Sequence, residues 1–201
     1  MENNILNHYL GIIEPNEPLK SDVMDMKNRF QNDYDFISAL QSKPHFTVFN
    51  IVQPAHNEES LVKTFGRTIE RISPFQIELH GFDYFPGPTY TLYVKLRDEK
   101  EFSRMAKYVR RFFKPILRPV KGSSPHYNTE NAHLTIAKGI LEPEFPTVWD
   151  SWKTAEYQSS TNADRMMLLR RPLTTKNFKY EIIGNCLFLG KGSLDPQISL
   201  F

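Results

Sequence analysis

Cysteine is nearly absent from this 201-residue chain. The one thiol, Cys186, excludes an internal disulfide framework and any multi-cysteine metal site. Its setting, Asn185-Cys186-Leu187-Phe188, is that of a small buried hydrophobe rather than a nucleophile. Long apolar runs are missing too: none approaches the ~18 residues of a membrane span, so no membrane partner is expected. Charge of one sign is scarce. Lys and Arg number 25 against 23 Asp and Glu, and the net +2 is too little for bulk nucleic-acid binding. The N-terminus carries Glu2 and no basic stretch, unlike a signal peptide. With the lone cysteine, that makes a reducing, cytoplasmic location the expectation.

Hydrophobic residues make up 40% of the chain and charged residues 24%, the balance of a folded, soluble protein. The length suits one large domain or two small lobes, and with the modest charge it fits a monomer. Tyr9 to Ile13 reads as a strand, closed by a turn-rich stretch with Pro15 and Pro18. Val23, Met26 and Phe30 have helical spacing from about Ser21. Asn57 can cap a second helix with a stripe of Leu61, Phe65, Ile69 and Ile72. Strands Phe75 to Phe82 and Thr89 to Leu96 follow, joined through Pro86-Gly87-Pro88. Asp98 and Glu101 have the spacing of a capping box for a third helix, with Phe102, Met105, Val109 and Phe112 as its buried stripe. Pro115 stops it. A fourth helix is expected over Val148 to Tyr157, then strands Arg165 to Arg171 and Tyr180 to Leu189.

Against this background one tripeptide pattern occurs twice. His45-Phe46-Thr47 and His133-Leu134-Thr135 each open an apolar strand, 88 positions apart. A strand places residues i and i+2 on one face, so each copy presents an imidazole beside a hydroxyl. Two imidazoles facing one cleft can accept and donate protons, and two hydroxyls can hold the oxygens of an anion. Each copy also holds the same place in a repeated order of elements: strand, helix, His-x-Thr strand, helix, strand, strand. The repeat predicts two similar lobes within a single domain spanning 1–201, approximately 1–97 and 98–190 with room for strand exchange, and a tail over 191–201.

The two motifs, each followed by an apolar residue (Val48 and Ile136), resemble those of the 2H phosphoesterase superfamily, which includes 2′-5′ RNA ligase-like proteins and cyclic nucleotide phosphodiesterases. Val48 departs slightly from the leucine common there. The resemblance implies a bilobed α+β fold with two antiparallel sheets flanking a central cleft and helices outside. It implies a phosphoric diester hydrolase with neither cofactor nor metal, whose substrates are 2′,3′-cyclic phosphates or 2′-5′ linkages in RNA ends or small cyclic nucleotides. His45 and His133 would be the acid–base pair, and Thr47 and Thr135 would hold the non-bridging oxygens. Hydrolysis and RNA ligation would share this site, and a non-catalytic RNA- or nucleotide-binding protein would keep the cleft without turnover. No GxxxxGK(S/T) loop is present to support an ATP-driven ligase.

Further substrate-binding candidates are Phe49, Tyr127, Lys138, Arg170 and Arg171. Phe49 shares strand parity with His45 and Thr47. Lys138 faces away from His133 by parity, unless the strand bulges. Alternation lets only one of Arg170 and Arg171 face a cleft. Tyr84, Phe85, Tyr127 and Trp149 are loop aromatics suited to stacking or packing. Lys107 to Lys121 holds six cations and no acidic residue, either as a phosphate-binding rim or as a solvated helix end.

Overall fold

The computed structural model describes residues 5–36, 39–40, 42–173 and 179–192. The tail 191–201 therefore lies almost wholly outside the described residues. Among the latter, nine strands and four α-helices alternate. They are β1 (Leu6–Ile13), α1 (Leu19–Tyr34), β2 (Phe46–Pro54), α2 (Glu58–Ile69), β3 (Phe75–Phe85), β4 (Tyr90–Leu96) and α3 (Lys100–Phe113). Then come β5 (His126–Tyr127), β6 (His133–Ile140), α4 (Phe145–Trp152), β7 (Gln158–Ala163), β8 (Arg165–Pro172) and β9 (Glu181–Leu187).

The strands form two antiparallel sheets, ordered β5-β2-β1-β8-β9 and β6-β4-β3-β7. Each sheet holds one His-x-Thr strand. Strands are exchanged between the approximate lobes 1–97 and 98–190, for which the sequence left room. The first sheet joins both ends of the chain, and the second is built from its middle. Strand pairing is a long-range choice, so the closing strands β8 and β9 complete the sheet that β1 and β2 begin.

Helices cover the outer face of each sheet. Phe46 and Phe49 of β2 meet Phe102 and Phe113 of α3 at 6.1 and 5.0 Å between ring centroids. Phe82 and Tyr84 of β3 meet Trp152 and Phe145 of α4 at 5.0 and 4.7 Å. These four contacts mark the buried side of each sheet, where a fully buried aromatic contributes about 2–3 kcal/mol. Two helices cross over. α1 joins β1 to β2 yet packs on β6 and β7 of the other sheet, and α3 leaves β4 of the second sheet to pack on the first. The exchange ties the lobes together and brings β2 and β6 side by side.

Several local expectations change. α3 has no capping box: Asp98 Oδ1 accepts the Lys100 N–H at 2.9 Å, and Glu101 turns to Arg104. Its buried stripe ends on Phe113, fully enclosed, while Phe112 is exposed. Asn57 stands at the cap position of α2, but its side chain donates to Gln53 Oε1 and the Ile116 carbonyl instead. α4 starts earlier than expected because Pro146 opens its first turn. β7, with sequence QSSTNA, has no apolar alternation to signal it; it pairs only through β3. Cys186 is half-buried on β9, and burial pushes its thiol pKa up, away from thiolate character.

Candidate active site

His45 lies immediately before β2, and Thr47 is the strand's second residue. His133 opens β6, with Thr135 two positions on. All four side chains are half-buried, and the intervening Phe46 and Leu134 are fully buried. Alternation therefore turns each motif to the inner, helix-free face of its sheet.

The two imidazoles are held alike. His45 Nδ1 donates to the Lys43 carbonyl at 2.8 Å, and His133 Nδ1 donates to the Asn131 carbonyl at 2.7 Å. A carbonyl only accepts, so Nδ1 carries the proton in both rings and neutral Nε2 is left as a base. Asn131 reaches this geometry with φ of 57°, a left-handed conformation that asparagine tolerates. Its N–H is held by Glu99 Oε2 at 2.7 Å. Burial lowers both histidine pKa values below the ordinary 6.5. The carbonyl bonds oppose that shift. The positive charge of Lys27 adds to it at His45, as do those of His45 and Lys138 at His133, whereas Glu14 raises His45. His45 and His133 are carried by β2 and β6, the strands along which the two sheets touch, and the charge of His45 acts on His133.

A bulge follows the threonine in both motifs. On β2 the partners step from Ile12–Thr47 to Gly11–Phe49, leaving Val48 as the extra residue. On β6 they step from Tyr93–Thr135 to Leu92–Ala137, leaving Ile136. An extra residue reverses the side-chain alternation beyond it. This corrects the reading of Phe49, which turns to the helix side beside Phe46 and is fully buried. Its ring fills the space over Gly11, where a Cβ would stand 2.2 Å from Phe49 Cε1. Asn128 pins the bulge: its N–H donates to the Val48 carbonyl at 2.8 Å, and its Nδ2 donates to the Thr47 carbonyl at 3.1 Å.

The matching bulge has the opposite effect on Lys138. Lys138 pairs with Thr91, which shares a face with Tyr93, the partner of Thr135. Lys138 is thus on the inner face with the motif, exposed, and close enough to depress His133. Arg171 also takes the inner face, opposite His8, with its guanidinium 4.9 Å over the ring of Tyr180. The Tyr180 hydroxyl lies 2.6 Å from His8 Nδ1. Arg170 points the other way, to Glu58 of α2 at 2.8 Å and to Glu181, so it ties the helix to the sheet. Tyr127 also faces outward, packed on Phe49 at 6.0 Å, with burial pushing its pKa up to about 12. Tyr84 and Trp149 pack on each other and on Phe145.

Phe85 and Tyr93 meet His133 at 4.8 and 5.0 Å and stack on each other at 4.3 Å. Tyr93 escaped sequence reasoning, although the polar row Thr91-Tyr93-Lys95 was the signal for it. Nothing local marks Asn128, or Lys27, a lysine 1% exposed whose Nζ donates to the Ala39 carbonyl at 2.9 Å. Among the described residues, no three His, Cys, Asp or Glu gather as metal ligands, and no helix is long and apolar enough to cross a membrane.

Two antiparallel sheets that meet along paired His-x-Thr strands define the 2H phosphoesterase class. Within it, the chain belongs to the 2′-5′ RNA ligase superfamily, whose family model matches residues 15–174. The fold is similar to that of TT0787 of Thermus thermophilus, with TM-score 0.68 and 16% identity over 92% of this chain and 99% of that one. It is also similar to Escherichia coli LigT, solved with 3′-AMP, with TM-score 0.61 and 11% identity over 91% and 98% of the two chains. A further solved phosphoesterase matches with TM-score 0.62 and 12% identity over 90% and 98%. No curated protein matches the chain by sequence.

Proposed function

We propose that the protein is a metal-independent phosphodiesterase that cleaves 2′,3′-cyclic phosphates or 2′-5′ linkages at RNA ends or in nucleotides. The observation that carries this reading is the matched pair of Nδ1–carbonyl bonds, which leaves two Nε2 atoms for proton transfer. In the hydrolysis of a cyclic phosphate, one neutral imidazole takes a proton from water as its oxygen bonds to phosphorus. The other, as imidazolium, protonates the ribose oxygen whose bond to phosphorus breaks. One water is consumed, and the two histidines finish with their protonation states exchanged. Thr47 and Thr135 donate to the non-bridging oxygens, where charge builds. Lys138 adds a positive charge on the same face, and Phe85 and Tyr93 offer aromatic surface beside His133.

Lowered histidine pKa values suit this chemistry. The free enzyme holds a ready base, and the bound phosphate anion supplies the field that favours protonation of the second ring. The nucleotide in the LigT structure agrees with this substrate class. Ligation of a cyclic-phosphate end passes through the same site with a ribose 5′-hydroxyl attacking in place of water, and is the reverse of cleaving a 2′-5′ linkage to a cyclic phosphate. The test is incubation with 2′,3′-cyclic nucleotides, 2′-5′ dinucleotides and cyclic-phosphate-ended RNA in the presence of a chelator. Turnover to a phosphomonoester, with its position identifying the leaving oxygen, is expected. Binding without conversion of any of these substrates would make the protein a binding module.

A further inference from the structure

A cavity of about 290 Å³ lies at the edge of the first sheet, outside the motif residues. Arg110 and Lys114 from the end of α3 line it, with Arg118, Val52 and Tyr127. No acidic residue lines it, and none of the three cations has an ion-pair partner among the described residues. The cavity is held in shape from below. Buried Gln53 accepts the Arg118 N–H at 2.7 Å and donates to the Arg118 carbonyl at 2.9 Å. That pair of bonds fixes the loop that carries the guanidinium. The buried Tyr127 hydroxyl meets no hydrogen-bond partner among the described residues, and the charge of Arg110 acts on it. A fixed wall with three cations that have no ion-pair partner among the described residues is complementary to a phosphate.

The cavity opens at the edge of β2, the strand that carries His45 and Thr47: Arg110, Lys114 and Tyr127 reach it from the helix side, and Val52 lines it from the inner face. Beyond the Val48 bulge, Asn50 and Val52 share the inner face with Thr47. Thr47 and Val52 are separated by roughly 16 Å along β2 at ~3.3 Å per residue. A mononucleotide held between the histidines ends short of Arg118, whereas an oligonucleotide spans the interval. We infer that this cavity is a second phosphate subsite, binding the backbone of an RNA strand whose reactive end lies between His45 and His133. The inference rests on the phosphodiesterase reading for the placement of that end.

The test is R110Q/K114Q/R118Q, which keeps long polar side chains at exposed positions. Anisotropy of a fluorescein-labelled oligoribonucleotide is followed against salt, in a His45→Ala/His133→Ala background that binds without turnover. Removing three phosphate contacts lowers the slope of log K against log salt by about two, at ~0.7 per contact on a single strand. In the catalytically intact protein, kcat/KM falls at least tenfold more for a cyclic-phosphate-ended oligonucleotide than for a 2′,3′-cyclic mononucleotide. An unchanged salt slope, or equal losses on both substrates, overturns the inference. So does cation-dependent binding to phosphatidylserine vesicles without RNA binding. If the protein binds RNA with the cation-dependent slope but converts no substrate, the phosphodiesterase reading fails and the subsite stands.

Discussion

Replacing Lys27 with methionine separates what a buried charge costs from what it does. Lys27 is 1% exposed on α1, and burial pulls its pKa from 10.5 to about 8. That fall corresponds to about 3 kcal/mol, at ~1.4 kcal/mol per pH unit. Between those two pH values the unfolded chain holds a proton that the native state has released, so native stability rises with pH across the window. At pH 7 the full cost is present. Methionine removes the charge at similar length, and the Ala39 carbonyl loses its donor, a loss of about 1 kcal/mol. Lys27→Met is therefore more stable than wild type by about 2 kcal/mol at pH 7. Urea unfolding of both proteins from pH 7 to pH 10.5 reads the difference, which shrinks through zero as the wild-type lysine is neutralised. A difference that stays flat across the range refutes the reasoning. The same variant raises the pKa of His45, because a positive charge beside it is gone, and one limb of the kcat/KM bell, the one His45 governs, moves to higher pH.

Gly11→Ala forces a methyl against the Phe49 ring. It costs about 1–3 kcal/mol in urea unfolding and lowers kcat by displacing the Thr47 bulge; a neutral substitution contradicts the packing argument. The histidine pair gives a bell-shaped kcat/KM with its optimum below pH 6.5, since both pKa values are lowered in the free protein. The kcat bell lies at higher pH, because bound phosphate favours imidazolium. A free-enzyme optimum above pH 7 contradicts both shifts. Lys138→Met raises KM by up to about fivefold, the range of an exposed charge contact. An unchanged KM removes Lys138 from the site.

The motif strands, the four helices and the pairing of His with Thr on one face were legible because each rests on local periodicity. The side-chain direction beyond each threonine was not. It depends on a bulge stabilised from elsewhere, by Gly11 making room for Phe49 and by Asn128 holding two carbonyls of β2. That is why Phe49 turns to the helix side and Lys138 to the face that carries His133 and Thr135. The choice between Arg170 and Arg171 waited on Glu58 from α2, which takes the outward arginine. The particular strand exchange between the sheets was not legible for a related reason: β8 pairs with β1, and no short-range signal announces that partner. Nothing local marks Lys27, because its burial depends on the Ala39 carbonyl beyond the end of α1.

The most direct test of the two-histidine account is single-turnover cleavage of 2′,3′-cyclic phosphates by His45→Ala and His133→Ala, each checked for native folding by circular dichroism. Each substitution removes either the base or the acid, and loss of a positioned proton-transfer group lowers the rate by ~10²–10⁴-fold. The account predicts that both folded variants fall by at least a hundredfold on every cyclic phosphate that the wild type cleaves. Wild-type turnover by either folded variant would contradict it.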